Sequence, residues 1–228
     1  MELEFIRSMF DAIAPRYDFL NRLLSLRRDV QWRREMVQSL DISEKETVLD
    51  VACGTGDVIL ETLRQKPRAA LFGIDFSTEM IRIARRKTAG LPVTLMVADA
   101  LALPFAPRTM GAVTIAFGIR NIIDRKSALA AFMNVLKPGG SLAVLELNTP
   151  PPGVIRSFYL LYFRKILPGI GGLFSRNLGA YHYLPASVLN FPPPKTFAAM
   201  IREAGFTDVA WKSLTLGIAT LYIGRKPA

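Results

Sequence analysis

The sequence predicts an α/β fold, a doubly wound, mostly parallel open sheet, and three observations carry that expectation. Strand-like apolar runs alternate with helical periodicities as far as residue 148, the pattern of successive βαβ units. One run, Val48-Leu49-Asp50-Val51-Ala52, feeds directly into Cys53-Gly54-Thr55-Gly56-Asp57. An apolar run closed by a Gly-x-Gly turn reads as a buried parallel strand entering a helix. Later runs end at Asp75, at Asp99 and before Gly118-Ile119-Arg120-Asn121, so polar groups gather beyond the carboxyl ends of strands. An open α/β sheet binds its ligand there.

Residues 1–40 are expected to be helical, because Trp32, Met36 and Leu40 recur at four-residue spacing with Val30 and Val37 on an adjacent face. Asp41-Ile42-Ser43-Glu44-Lys45 is a polar break before the first strand at 47–52. Arg68 to Phe76 holds a second strand ending at Asp75, with Ser77 as N-cap of the helix that follows. A third strand runs from Val93 to Ala98 and a fourth from Ala112 to Phe117. A helix from Arg125 to Leu136 should stop at Lys137-Pro138-Gly139-Gly140, and a fifth strand covers Ser141 to Leu147. Pro150-Pro151-Pro152 breaks the alternation; a helix at Thr196–Ala204 and strands near 208–215 and 219–225 complete the sheet. One domain results, with a helical cap at 1–43, a core at 44–149, a basic, apolar helical insert or lid at 150–203, and terminal strands at 204–228.

Half of the 228 residues are hydrophobic and the mean hydropathy is +0.26. Yet no apolar run reaches the ~18 residues that would span a bilayer. The first residues lack a basic segment followed by an apolar one, so no secretory signal is read there. The single cysteine, Cys53, forms no internal disulfide, which fits a reducing cytoplasm; inside the tight turn it reads as a small filler. The net charge of +10 implies an anionic partner. Between Glu146 and Glu203 there is no acidic residue, while Arg156, Arg164, Lys165, Arg176, Lys195 and Arg202 are interleaved with nine Phe or Tyr. Such a segment suits nucleic acid or an anionic membrane. Phe158-Tyr159-Leu160-Leu161-Tyr162-Phe163 is too apolar for an RNA-binding helix, so the expectation is peripheral contact with a membrane and no nucleic acid. The alternative is a lid helix packed on the core.

Asp75 follows Gly56 by nineteen residues, the spacing at which a carboxylate accepts from ribose hydroxyls. Asp99 is placed to accept from an adenine amino group. Either acid alone also suits a helix cap; together they favour an adenosine ligand. The turn lacks the third glycine of the dinucleotide fingerprint, since Ile59 stands there. An acid inside the strand, Asp50, suits a ligand carrying an amine and a sulfonium. No cluster has metal-ligand spacing, and one histidine makes a zinc site a poor reading. Neither a nucleophile elbow nor a phosphate loop is found.

Asp50-x-x-Cys53-Gly54-Thr55-Gly56 resembles the first motif of the class I S-adenosyl-L-methionine methyltransferases. That class implies a seven-stranded, mostly parallel Rossmann-like sheet with an antiparallel last strand. From Met9 to the C-terminus the chain is similar to the ubiquinone/menaquinone C-methyltransferases. The resemblance rests on Tyr17-Asp18-Phe19-Leu20-Asn21, on Phe117-Gly118-Ile119-Arg120-Asn121, and on Asn134 to Gly140 continued by Leu145-Glu146. It implies cofactor contacts at Gly54, Thr55 and Gly56 in the turn, Asp75, Asp99, Ala100 and Ala116. One departure stands out: where the first signature continues with a histidine and a basic residue before Trp32, this chain has Asp29 and Val30.

The implied chemistry is methylation of a ring carbon of a prenylated hydroquinone, demethylmenaquinol or the benzoquinol precursor of ubiquinone. An aromatic carbon turns nucleophilic when a neighbouring hydroxyl loses its proton, so a phenol with a pKa of about 10 must be met by a base or a stabilising charge. Arg120 is expected to stabilise the oxyanion as a fixed cation, or else to hold the loop as an ion pair. Asn121 orients a quinol oxygen or caps the next helix. Tyr181, His182 and Tyr183 could line the ring pocket, and His182 is the side chain whose ordinary pKa suits a base. Tyr17 and Asn21 contact the substrate or pack the N-terminal helix. An RNA methyltransferase and a non-catalytic cofactor-binding subunit are the rivals of another class, and a homo-oligomer stays open.

Overall fold

The computed structural model describes residues 2–161 and 178–228. Among them seven strands form one sheet: β1 (Thr47–Val51), β2 (Ala70–Asp75), β3 (Val93–Val97), β4 (Met110–Ala116), β5 (Leu136–Leu147), β6 (Thr207–Leu214) and β7 (Ala219–Arg225). Their order is β3-β2-β1-β4-β5-β7-β6. Pairing is parallel from β3 through β5, and β7 runs antiparallel to both its neighbours. Successive strands are added outward in opposite directions from β1 and from β4, so the loops after β1 and β4 splay apart and leave a crevice between them.

Period-two alternation builds a core on each face. Val48 of β1 and Ala112 of β4 join Ala143, Leu145 and Leu221 under Trp32, Met36 and Val37 of α3 (Arg28–Gln38). Leu49, Val51, Val113 and Ile115 face the other way, against Phe132 of α6 (Arg125–Val135) and Phe197 and Ile201 of a late helix, Pro194–Glu203. Each such ring buries enough surface to contribute about 1.5–3 kcal/mol.

The N-terminal 40 residues divide into α1 (Glu2–Ile13), a 3-10 turn at Ala14–Arg16 that contains Pro15, α2 (Tyr17–Leu24) and α3. Proline cannot donate into a continuing helix, which is why the single stretch expected from periodicity breaks there. After β1 come α4 (Asp57–Gln65) and α5 (Thr78–Lys87). Further on lie α7 (Val154–Leu161), α8 (Leu178–Leu189) and α9 (Pro194–Glu203). Met9, Leu20, Tyr159 and Val188 form a third cluster that packs α1 and α2 against α7 and α8.

Helix α6 ends at Val135 and β5 begins at once, five residues before the expected Ser141. Leu136 pairs with Met110, and the register slips before Ala112. Gly139 is left-handed at φ +74° and donates to Lys226 O at 3.0 Å, while Lys226 N donates to Gly140 O at 2.9 Å. The Pro-Gly-Gly stretch is a bulged part of the strand, held by the C-terminus, and not a loop.

The turn after β1 is left-handed at Gly54 (φ +54°) and Gly56 (φ +86°). A Cβ on Gly56 would stand 3.5 Å from Ala84 Cβ of α5, an ordinary contact, so the backbone alone requires glycine there. Gly56→Ala is expected to lower stability by about 1–2 kcal/mol, a fall of roughly 2–8 °C in melting temperature for a chain this size. An unchanged melting curve would show that the turn relaxes freely.

Candidate active site

Two adjoining cavities lie over the carboxyl ends of β1, β2 and β4. The first, about 460 Å³, is walled by Gly54, Asp75, Asp99, Ala100, Ala116 and Asn121, and closed by Phe10 and Tyr17 from the N-terminal helices. The second, about 660 Å³, is chiefly apolar; Tyr17, Asn21, Arg120 and Tyr183 are among its polar contributors. Phe10, Tyr17 and Phe117 belong to both walls and form a septum between the cavities.

Asp75, at the end of β2, is 6% exposed. Its Oδ2 accepts from Gly54 N at 2.8 Å and its Oδ1 from Ser77 N at 2.9 Å. Burial pushes its pKa up to about 6, against the opposing effect of the Ser77 and Gly54 amides. Ser77 caps α5 by accepting from Met80 N at 3.1 Å and donates its hydroxyl to Asp11, so α1 is fastened to the end of β2. Asp99 accepts from Leu101 N at 2.9 Å and so shapes its own loop while lining the first cavity.

Three of the residues expected to touch the cofactor are not on the cavity wall. Asp50 lies beneath the turn, where Thr114 donates to its Oδ1 at 2.7 Å. The two residues are register partners on adjacent strands, so they share a face. Among the described residues Asp50 Oδ2 has no hydrogen-bond partner, and burial pushes the pKa up to about 7. Thr55 turns the other way, donating to Asp18 Oδ1 at 2.5 Å and accepting from Lys87 Nζ at 3.1 Å. Gly56 backs onto α5. These three build the turn, and Gly54 is its member at the wall.

Lys87 ties the region together. Its ammonium donates to Asp57 Oδ1 at 2.5 Å and Asp18 Oδ2 at 2.7 Å as well as to Thr55. Arg22 and Arg33 approach Asp57 Oδ2 at 3.4 and 3.5 Å. Burial works to raise the Asp57 pKa, but Arg33, Lys87 and Arg22 together hold it below the usual carboxylate range.

Arg120, expected either as a fixed cation facing the oxyanion or as an ion pair holding the loop, is found in an ion pair. Its Nη1 donates to Glu146 Oε1 at 2.8 Å and to Phe117 O, and its Nε to Ser187 Oγ at 3.3 Å. Glu146 is wholly buried and also accepts from Arg120 N at 3.1 Å. A carboxylate this close cancels most of the cation's field in the cavity. Asn121 Oδ1 accepts from the Tyr183 hydroxyl at 3.1 Å. It does not cap the next helix, since Asp124 does so by accepting from Ser127 N at 3.0 Å. Burial raises the pKa of Tyr17, opposed by Arg120 and by a hydrogen bond with Asn21. Asp29, in the place of the histidine, is buried and paired with Arg33 at 2.6 Å. The side chains of Tyr181 and His182 lie outside the described residues.

Sequence reading missed Phe10 and Phe117. Phe117 holds φ +58°, a conformation unfavourable for a bulky residue, and its amide donates to Leu145 O at 2.7 Å. In the sequence Phe117 reads as the last residue of a strand and the first of the signature that runs to Asn121, without a role of its own.

A doubly wound sheet with an antiparallel final strand, a glycine turn and acids at successive strand ends defines a class I S-adenosyl-L-methionine-dependent methyltransferase. Residues 2–226 match the ubiE/COQ5 methyltransferase family, and the chain belongs to that family. It is 50% identical to the ubiquinone/menaquinone biosynthesis C-methyltransferase UbiE of Geobacter sulfurreducens, over 98% of this chain and 89% of that one. It is 48% identical to the demethylmenaquinone methyltransferase of Thermus thermophilus, over 96% and 100%. Among solved structures, the Haloferax volcanii complex of the Trm112 activator with a methyltransferase matches with a TM-score of 0.70. That match covers 96% of this chain and 98% of that one at 19% identity, a likeness of fold.

Removing Arg120 strands Glu146. Arg120→Ala is expected to cost about 3–5 kcal/mol, because an unpaired carboxylate then stays buried. Arg120→Met combined with Glu146→Gln should recover most of that loss in urea unfolding. A cost for Arg120→Ala no larger than that of an exposed substitution would show that the pair does not hold the loop.

Proposed function

We propose that the protein methylates a ring carbon of demethylmenaquinol, with S-adenosyl-L-methionine as donor. The observation that carries this reading is the pair of cavities meeting at Phe10, Tyr17 and Phe117. One has the polar fittings for an adenosine, and the other an apolar lining for a prenylated ring.

The first cavity fits the cofactor. A volume of about 460 Å³ suits a small-molecule ligand. Gly54 leaves open wall, since a Cβ there would meet nothing nearer than Tyr17 Cε1 at 3.9 Å. Asp75 would accept from the ribose hydroxyls, Asp99 and Ala100 would hold the adenine, and Ala116 and Gly54 would flank the sulfonium end. Asp50, Thr55 and Gly56 would act through the turn. When bound, the cofactor supplies an electrophilic methyl group.

The protein's own part is alignment and proton handling. Tyr17 and Asn21, one turn apart on α2, would orient the ring against the septum. Arg120, its charge largely answered by Glu146, would serve as a hydrogen-bond donor to the quinol oxygen, with Asn121 and Tyr183 beside it. His182 is our candidate for accepting the quinol proton, supported by its neighbours Tyr183 and Leu184, which line the second cavity. Tyr181 would line the ring pocket. Closure by α1 and α2 would keep water from the reacting carbon.

A polyprenyl tail would keep the enzyme at the inner face of the cytoplasmic membrane, as a peripheral protein. The exposed Val154, Phe158 and Leu161 of α7 support that placement. Tyr162, Phe163, Arg164 and Lys165 lie outside the described residues. No described helix is long and apolar enough to cross a membrane.

Labelled S-adenosyl-L-methionine with reduced demethylmenaquinone in detergent is expected to yield labelled menaquinol. The oxidised quinone, the ubiquinone precursor and RNA serve as comparison acceptors. Label in RNA alone, or in nothing, would overturn the reading; a preference for the benzoquinol would change the acceptor and keep the chemistry.

Cofactor affinity should depend on pH through Asp75. Hydroxyl donors favour its ionised form, whereas burial pushes its pKa up to about 6. Affinity is therefore expected to be full above that pH and to fall by up to about tenfold per unit below it. Asp75→Asn should bind more weakly and lose this dependence. A pH profile unaltered in Asp75→Asn would assign the titration to another group.

A further inference from the structure

We propose that three apolar tips from separate parts of the chain form one bilayer-inserting surface around the mouth of the second cavity. They are Leu26, between α2 and α3; Val154 and Phe158 on α7; and Leu216, between β6 and β7. The proposal rests on the prenylated-quinol reading and specifies its membrane partner.

All three tips are exposed, and two of them are also strained. Leu26 is 82% exposed and Leu216 67%; Val154 and Phe158 are 72% and 69%. Leu26 and Arg27 hold φ +51° and +62°, and Thr215 and Leu216 hold +44° and +59°. Glycine or asparagine is favoured in that region, whereas a leucine there opposes its own backbone preference. Two loops that combine left-handed backbone with a solvent-facing leucine signal a function for the protruding side chain.

The tips also converge. Leu26, Ile155 and Phe158 line the second cavity, as do Thr215 and Ile218 on either side of Leu216. Trp32 Nε1 of α3 donates to Thr215 Oγ1 at 2.9 Å, which joins the β6–β7 connection to the N-terminal helices. Gly217 lies against Pro151, so close that an added Cβ would meet its Cδ at 3.0 Å. The connection therefore abuts the segment that leads into α7.

Charge selects the occupant. Across residues 23–29, 150–161 and 213–218 the charged side chains are Arg27, Arg28, Arg156 and Asp29. Asp29 is buried and paired with Arg33, which leaves only cations to meet a partner. Apolar tips ringed by arginines match an anionic phospholipid surface. A two-fold dimer through this face would set the same arginines against each other. Two of the three tips fall outside the acid-free insert. On this surface the cavity mouth meets lipid directly, and a prenyl tail can enter without crossing water.

The test uses the full chain with Val154→Asp and Leu216→Asp combined, since neither side chain lines a cavity. Aspartate also suits the left-handed backbone at 216 better than leucine, so the fold should be kept; thermal melting checks this. Wild type should float with phosphatidylglycerol vesicles and much less with phosphatidylcholine. The variant should lose about tenfold in phosphatidylglycerol affinity. It should keep activity on a short-tailed, water-soluble demethylnaphthoquinol and lose most of its activity on the long-tailed quinol in vesicles. Equal vesicle binding by variant and wild type, or no binding by wild type, overturns the proposal. So does a wild-type dimer in sedimentation that the substitutions dissociate, because the face would then be a self-interface. If neither quinol is methylated while vesicle binding still depends on these residues, the substrate reading falls and the surface stands.

Discussion

The ammonium group of Lys87 joins the two halves of the site. From the last turn of α5 it bonds Asp57 at the start of α4, Thr55 in the glycine turn and Asp18 on α2. Tyr17 and Asn21 sit on that same α2, and Tyr17 forms part of the wall between the cavities. The geometry of the septum is therefore set against the turn by one cation and its acceptors, reinforced by Arg22 and Arg33 on Asp57. The group is partly shielded from solvent, where charge-assisted hydrogen bonds outweigh exposed ones. This explains why the glycine turn and the second cavity, from distant stretches of chain, can be held at a fixed separation.

The opposite side of the septum is held by the Arg120–Glu146 pair. Glu146 lies on β5 and Arg120 in the 3-10 turn after β4, so the pair crosses adjacent parallel strands at their carboxyl ends. It also grips the Phe117 carbonyl, which helps sustain the left-handed backbone of that residue. Strain at Phe117 and the buried pair belong to one arrangement: the pair supplies the constraint, and the strained backbone puts the aromatic ring between the two cavities. An arginine employed in this way shapes the cavity more than it charges it.

Much of the fold was legible because its signals are short-ranged. The apolar run of β1, the Gly-x-Gly turn, the Ser77 cap and the helix before Lys137 depend on neighbours within a few residues, where period and backbone preference act directly. Boundaries moved where a distant partner intervened. Gly139 and Gly140 are strand because Lys226 bonds them, and no local preference announces that. In the site, Gly54, Asp75, Asp99 and Asn121 were read beyond the strand ends from their position, Asn121 toward the acceptor, and Ala100 and Ala116 from the family resemblance; all six line the first cavity. Asp50, Thr55 and Gly56 were read there too, but their side chains or Cβ vectors face the interior. Motif spacing carries no information about which way a residue turns.

The sequence by itself determined the class of sheet and the place of the turn, because both follow from periodicity and from residue types at fixed short spacing, and its signatures carried the resemblance to the family. Only the tertiary structure decided which charges are spent on one another. Glu146 neutralises Arg120 across 26 positions, and Lys87 reaches Asp57 and Asp18 across 30 and 69. It alone brought Phe10, Tyr17 and Phe117 into one wall, and Leu26, Phe158 and Leu216 to one rim. The physical reason is common to both: electrostatic pairing and apolar contact depend on distance through space, and chain order leaves that distance open until the sheet has closed.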